Sequence, residues 1–216
     1  SSFRGEQAAI IDHLVAGENA LVVMPTGAGK SLCYQIPSLC RDGVGIIVSP
    51  LIALMQNQVD ALKQLEVKAA ALNSSLSYPD FLQVKSDLES GELDLLYVAP
   101  ERLLMPEFLA LLKTLKVALF AIDEAHCVSQ WGHDFRMEYS QLGTLRKLHP
   151  DVPMMGLTAT ATPLVKEDII KQLGLKDPDQ HVYGFYRPNL YYQAEFCELE
   201  SHKEGFVYKA IEQNPK

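Results

Sequence analysis

Cysteine is scarce in this 216-residue sequence, and Cys33, Cys40, Cys127 and Cys197 fall into no CxxC pair and no Cys/His ligand spacing. That scatter reads as reduced thiols of a cytosolic protein, not as a disulfide or metal framework. Long hydrophobic runs are missing too. The longest, such as residues 117–122, fall far short of the ~20 residues of a bilayer helix, so neither a membrane span nor a membrane partner is expected. No basic stretch followed by an apolar one opens the chain, so secretion is unsupported; an intracellular place, cytoplasmic at a bacterial nucleoid or nuclear in a eukaryote, is expected. Positive charge is in deficit, with 19 Lys and Arg against 27 Asp and Glu and a net charge of −8. A passive electrostatic coat for nucleic acid is excluded, though a local basic groove is not. Neither glycine (13) nor proline (12) is abundant enough for a collagen-like, fibrous or wholly disordered chain.

What is present is an alternation of short apolar runs with amphipathic stretches. The runs at 20–23, 44–48, 93–98, 117–122 and 153–157 are almost continuously apolar, as strands of a parallel sheet covered on both faces are. A further strand is expected at 67–72, although its alanines also suit a helix. Between them, helical periods cover 7–15, 31–39, 51–65, 79–89, 106–115, 139–148 and 163–173. Together these predict an α/β fold with a doubly wound parallel sheet and helices on both faces. After Leu175 the turn-rich Lys176-Asp-Pro-Asp-Gln180 marks the expected end of the sheet. Residues 1–180 are therefore expected to form one lobe, and 181–216 a segment with a strand near 189–196 and a helix at 201–213.

The first apolar run leads through Met24-Pro-Thr-Gly-Ala-Gly-Lys-Ser31 straight into a helical period. A strand, a glycine loop and a helix in that order make a phosphate-binding loop, because backbone N–H groups converge there on an anion at a helix N-terminus. Thr26, Gly27, Ala28, Gly29, Lys30 and Ser31 are the candidate contacts, with Lys30 reaching the terminal phosphates and Ser31 ligating Mg²⁺. Met24 replaces the glycine that opens the GxxxxGK[ST] pattern, so the Thr26-Gly27-x-Gly29-Lys30-Ser31 core carries the reading. The run at 117–122 ends in Asp123-Glu-Ala-His126. Asp123 is placed to hold the metal through water and Glu124 to deprotonate the hydrolytic water. The same two acids after a strand would also suit a helix cap.

With Leu157-Thr-Ala-Thr-Ala161, these motifs resemble the first motor lobe of a superfamily 2 helicase, and more specifically the RecQ family of DNA helicases. The resemblance rests on Phe3-Arg4-x-x-Gln7, Met24 to Ser31, Ser49-Pro-Leu-Ile-Ala-Leu-Met55, Tyr97-Val-Ala-Pro-Glu-Arg102, Asp123 to His126, Cys127-Val-Ser-Gln-Trp-Gly-His-Asp-Phe-Arg136, Thr158 to Thr160, and Tyr186-Arg-Pro-Asn189. It spans nearly the whole chain, and the Trp131 segment is its most specific part.

The resemblance implies a RecA-like P-loop NTPase fold with ATP and Mg²⁺ as cofactors and a 3′-to-5′ DNA helicase activity. Partners would be single-stranded and partly duplex DNA, and a second RecA-like lobe of a longer chain that supplies an arginine finger. Arg4 and Gln7 would recognise adenine, helped by an aromatic residue upstream of Ser1. His126 joins the catalytic set. Ser49 and Pro50, and Glu101 and Arg102, lie at strand ends where backbone N–H groups can face a nucleic-acid phosphate. Trp131, Phe135 and Arg136 offer stacking faces and a cation to bases, and Thr158 and Thr160 would bridge the metal site to the DNA face. Packing of Trp131 into a small core is the bland alternative. An RNA helicase or double-strand translocase lobe, or a non-enzymatic nucleotide-binding module, remain the competing functions.

Overall fold

A computed structural model describes residues 3–184, 194, 196–197, 199–200 and 202–214. Its centre is a seven-stranded sheet made of β1 (Ala20–Val23), β2 (Val44–Val48), β3 (Ala69–Leu72), β4 (Leu95–Val98), β5 (Val117–Ile122), β6 (Met154–Thr158) and β7 (Asp179–Val182). The order across the sheet is β3-β4-β2-β5-β6-β1-β7, and every pairing is parallel. The helices are α1 (Gln7–Val15), α2 (Leu32–Cys40), α3 (Ile52–Lys63), α4 (Tyr78–Glu89), α5 (Pro100–Leu103), α6 (Pro106–Leu112), α7 (Met137–Ser140), α8 (Thr144–Leu148), α9 (Pro163–Leu173) and α10 (His202–Gln213), with a 3₁₀ turn at Ala125–Val128.

The strands are apolar throughout because both faces are covered, and alternate residues feed two separate cores. Ile46, Val48, Phe120 and Ile122 join the core that contains Leu88 of α4, Phe108 of α6 and Ile169 of α9. Ile47, Leu119 and Ala121 join the opposite core, with Ile10 of α1, Tyr34 of α2 and Met55 of α3. The expected doubly wound sheet is thus present. Two local expectations need correction. The period at 139–148 is two short helices, α7 and α8, separated by a turn that includes Gly143, a residue about 1 kcal/mol worse than alanine inside a helix.

The sheet also does not end near Leu175. β7 pairs with β1 from Asp179 to Val182 beyond the turn. Its residues, Asp-Gln-His-Val, carry no apolar run, because on this edge strand only His181 is buried. That imidazole anchors the strand, with Nδ1 2.8 Å from Glu6 Oε2 and Nε2 3.1 Å from Asp179 Oδ2.

Residues 1–184 form one compact unit and 185–216 a second. In the second, α10 occupies the expected helix, and its Val207, Tyr208 and Ile211 are exposed. The strand expected near 189–196 and the Tyr186-Arg-Pro-Asn189 motif lie outside the described residues, apart from isolated positions.

Candidate functional site

In a parallel sheet every strand delivers its carboxyl end to the same edge, where ligands of open α/β folds collect. Register makes this concrete. Val23 lies beside Thr158, Val48 beside both Val98 and Ile122, so Met24, Ser49, Ala99 and Asp123 all follow on one edge. Backbone bonds fix the next residue of each: Met24 N–H donates to Thr158 O (3.0 Å), Ser49 N–H to Val98 O (3.2 Å) and Asp123 N–H to Val48 O (2.9 Å). A cleft of about 330 Å³ opens there, lined by residues that include Thr26, Gly29, Lys30, Ser31, Asp123 and Glu124. Larger grooves of about 640 and 710 Å³ lie at the β3 side of the sheet and contain none of these loop residues.

The phosphate loop is shaped by two glycines with positive φ, Gly27 at 82° and Gly29 at 86°. At Gly29 a second constraint applies, since a Cβ there would stand 2.4 Å from Gln7 Nε2. Met24 has no positive φ, and its side chain is buried in the core on the α1 side, so the usual first glycine is not required. Among the described residues no backbone carbonyl accepts from the N–H groups of Gly27, Gly29, Lys30 or Ser31. Ahead of the nine-residue α2 these free donors form an anion cradle. Lys30 Nζ donates to Met24 O at 3.0 Å, folded back over its own loop.

Gln7 lies beneath this loop, only 2% exposed. Its amide donates to Ala28 O (3.2 Å) and Gly29 O (3.1 Å), and its Oε1 accepts from the Arg4 N–H (2.8 Å). The expected adenine-reading amide is therefore engaged in holding the loop in this structure, while the Arg4 side chain is exposed.

Asp123 and Glu124 stand at the end of β5. Burial, and then the neighbouring Glu124 charge, raise the Asp123 carboxyl to about 6. Asp123 Oδ1 accepts the Glu124 N–H at 3.0 Å. Glu124 adopts left-handed backbone, with φ 50° and ψ 43°, a conformation that costs a non-glycine residue on the order of 1–3 kcal/mol. This strain turns the chain sharply into the 3₁₀ turn and sets His126 under the acids.

His126 is buried, and its Nδ1 lies 2.8 Å from Thr158 Oγ1 and 3.3 Å from Glu124 Oε2. Thr158 Oγ1 has a single proton, which it donates to Thr160 O at 3.1 Å. The Nδ1 of His126 must therefore be the donor, and the ring is the Nδ1–H tautomer with a bare Nε2. Burial pushes the ring's pKa down, which favours this neutral form. Thr158, His126 and Glu124 thus form one connected set.

The segment from Cys127 to Arg136 is a closed loop, with Arg136 N–H donating to Cys127 O at 3.0 Å. Gly132 passes so close to His126 that a Cβ would lie 2.5 Å from its carbonyl oxygen. The ring of His133 stacks on that of His126 at 4.2 Å between centroids. Trp131 is 70% exposed, which removes the alternative of a buried packing role, and Phe135 is exposed as well. Arg136 is not a free cation. Its guanidinium bonds Asp134 Oδ2 at 3.0 and 3.3 Å, and this pairing holds the Asp134 carboxyl below its usual range.

Ser49 needs correction as a phosphate donor. Its N–H is engaged by Val98 O, Pro50 has none, and the Ser49 hydroxyl lines the cleft, buried and without a hydrogen-bond partner among the described residues. Arg102 N–H likewise closes the first turn of α5 onto Ala99 O at 3.0 Å, while the Glu101 side chain is exposed. Sequence reasoning missed Tyr139, whose buried hydroxyl donates to Asp123 O at 3.0 Å. It also missed the cleft floor, where Gln35 Nε2 donates to both Gln58 Oε1 (3.0 Å) and Tyr97 OH (2.9 Å). Polar residues on helical periods give no such signal until the fold brings them together.

A DEAD/DEAH box helicase model matches residues 4–168, a stretch that takes in both the phosphate loop and the Asp123-Glu-Ala-His126 turn. The chain belongs to this family. It is 50% identical over 96% of its length to an ATP-dependent DNA helicase RecQ of Haemophilus influenzae, of which it covers 35%. A second relative, the ATP-dependent DNA helicase RecQ of Bacillus subtilis, is 43% identical over 95% of this chain and is covered to 37%. The chain thus spans about a third of the length of these relatives. Among solved structures, the Hef helicase domain of Pyrococcus furiosus aligns at a TM-score of 0.63 with 20% identity, over 83% of this helicase-family chain and 38% of that one. The helicase MrfA bound to DNA and AMPPNP aligns at 0.63 with 18% identity, over 83% and 26%. These two likenesses bear on the fold alone.

Proposed function

We propose that this chain is the ATP-binding motor lobe of a RecQ-type, ATP-dependent DNA helicase. In this reading it couples ATP hydrolysis to movement along single-stranded DNA and to unwinding of partly duplex DNA. The observation that carries the reading is the connection, on one sheet edge, of an anion cradle, two carboxylates and an exposed aromatic loop through His126 and Thr158. The 43–50% identity to RecQ helicases supports the substrate class.

The donor set suits a nucleotide with a hard divalent cation. Unpaired loop N–H groups and an ammonium face anionic oxygen, while a hydroxyl and a carboxylate are oxygen ligands of the kind Mg²⁺ takes. Bound ATP with Mg²⁺ would supply the phosphoanhydride bond whose hydrolysis powers the motor. The loop N–H groups and Lys30, exchanging Met24 O for phosphate, would hold and orient the phosphates. Ser31 and Asp123 would hold the metal, and Glu124 would accept a proton at its carboxylate from the attacking water. Trp131 and Phe135 would stack on bases, with the backbone between Glu124 and Arg136 passing their displacement to the acids. The lobe is taken as residues 1–184, past the expected boundary at 180 because β7 belongs to the sheet, with 185–216 leading toward a second RecA-like lobe that contributes an arginine finger. Without that finger, worth roughly 10³–10⁵ in rate, the isolated chain would hydrolyse ATP very slowly.

Lys30→Ala tests the nucleotide assignment. Titration with a fluorescent ATP analogue and Mg²⁺ should show tight binding lost in the variant, because the loop offers no second cation. Equal affinity would remove the assignment. ATP turnover of the full-length protein, measured with single-stranded DNA and with RNA, tests the substrate; stimulation by RNA alone would replace the DNA reading with that of an RNA helicase.

A further inference from the structure

Adjacent His126 and Cys127, followed by Asp134, show no metal-ligand spacing familiar from sequence. The loop nevertheless returns Asp134 to the start of the segment. A ring nitrogen of His126, Cys127 Sγ and an Asp134 carboxylate oxygen all lie within 4.8 Å of one another. The sulfur stands 3.7 Å from Nε2 and 3.8 Å from Asp134 Oδ2. For a tetrahedral zinc ion, with bonds of about 2.3 Å to sulfur and about 2.0 Å to nitrogen and oxygen, the ligand-to-ligand edges are roughly 3.3–3.6 Å. The two edges to sulfur approach these values, and the third, between His126 and Asp134, lies within 4.8 Å and closes to about 3.3 Å when one ion takes all three.

A second, independent observation concerns the imidazole. Thr158 fixes His126 as the Nδ1–H tautomer, so the lone pair sits on Nε2, the atom that faces the sulfur. A metal-bound histidine is ordinarily oriented in this way, by an outer partner on its other nitrogen. Access is available from the Asp134 side, since that residue is exposed although Cys127 is buried.

We propose that His126, Cys127 and Asp134 form a binding site for a thiophilic divalent cation of the zinc class, with water in the fourth position. Nitrogen and sulfur donors select against Mg²⁺, so the site is separate in chemistry as well as position from the Ser31 and Asp123 pair. On binding, Cys127 loses its thiol proton to solvent and becomes a thiolate ligand, with His126 neutral and Asp134 anionic. The ion joins both ends of the loop that carries Trp131 and draws Asp134 from Arg136, its present partner. Zinc-class ions thereby act as a clip on the aromatic loop.

Cobalt(II) is the probe, because a cysteine thiolate bound to it gives a charge-transfer absorption that needs no catalytic assay. The 216-residue chain with Cys40→Ser and Cys197→Ser should bind one equivalent with that absorption, and Zn²⁺ should displace it. Asp134→Asn, at an exposed position, should weaken Co²⁺ binding at least about tenfold, and Cys127→Ser should abolish the absorption. Absence of the band in the double-serine chain at one equivalent would overturn the site. So would wild-type affinity in Asp134→Asn, or a band that survives Cys127→Ser. Nucleotide binding at Lys30 is a separate measurement, and its result does not bear on this one.

Discussion

Replacing Thr158 by valine removes a hydroxyl while keeping the shape of a side chain that is fully buried at the end of β6. The hydroxyl accepts from His126 Nδ1 at 2.8 Å and donates to Thr160 O at 3.1 Å. Thr160 is exposed, so water can take over its carbonyl and that half of the change costs little. His126 is 6% exposed, and among the described residues its Nδ1–H has only the Glu124 carboxylate, at 3.3 Å, as an alternative acceptor. A typical hydrogen bond contributes about 0.5–1.5 kcal/mol and a buried orphaned donor costs about 1–3 kcal/mol, so the substitution should destabilise by roughly 1–3 kcal/mol. At ~2–4 °C per kcal/mol for a domain of this size, the thermal midpoint should fall by at least ~2 °C. ¹⁵N NMR of the imidazole supplies the second readout. The wild type should carry its proton on Nδ1, and the variant should lose that fixed tautomer. A wild-type ring protonated on Nε2, or an unchanged melting point together with an unchanged tautomer in the variant, would refute the connection between Thr158, His126 and Glu124.

In the full-length protein, Glu124→Gln should retain ATP binding while turnover falls by about 10²-fold or more, the usual contribution of a general base; near wild-type turnover would assign proton removal elsewhere. Trp131→Ala should leave the melting temperature of the chain unchanged, within the ~0.5 kcal/mol typical of surface substitutions, because the indole is 70% exposed. Stimulation of ATP turnover by single-stranded DNA should drop steeply in the same full-length variant, and stimulation that persists would deny Trp131 a part in coupling. Burial raises the Cys33 thiol to about 11 and the Tyr34 and Tyr139 hydroxyls in the same direction. Acids whose folded pKa exceeds the unfolded one stabilise fully below the unfolded value, so stability should decline as pH rises from about 9 through about 11. Denaturant midpoints across that range check this, and Cys33→Ala should reduce the decline.

Much of this protein is legible in its sequence because its central strands are buried on both faces. Apolar runs 20–23, 44–48 and 117–122 reappear unshifted as β1, β2 and β5, and the helical period at 163–173 as α9. Strand, glycine loop and helix are contiguous in the chain, so Lys30 and Ser31 could be named as candidates from local order, and Asp123 and Glu124 from their place after an apolar run taken together with that loop. β7 was hidden because an edge strand buries one residue in four and needs no apolar run. Contacts between distant segments were hidden for a different reason. Gln7 bonds a loop about twenty residues away, Thr158 bonds His126 across 32 residues, and Tyr139 bonds Asp123 across 16. No spacing rule encodes such pairs, since the parallel register of β1, β5 and β6 creates them. The tautomer of His126, the occupied N–H of Ser49 and the meeting of Cys127 with Asp134 are likewise products of chain reversal. Residue types supplied the possible chemistry, and the tertiary fold decided which donors were already satisfied and which were left free to act.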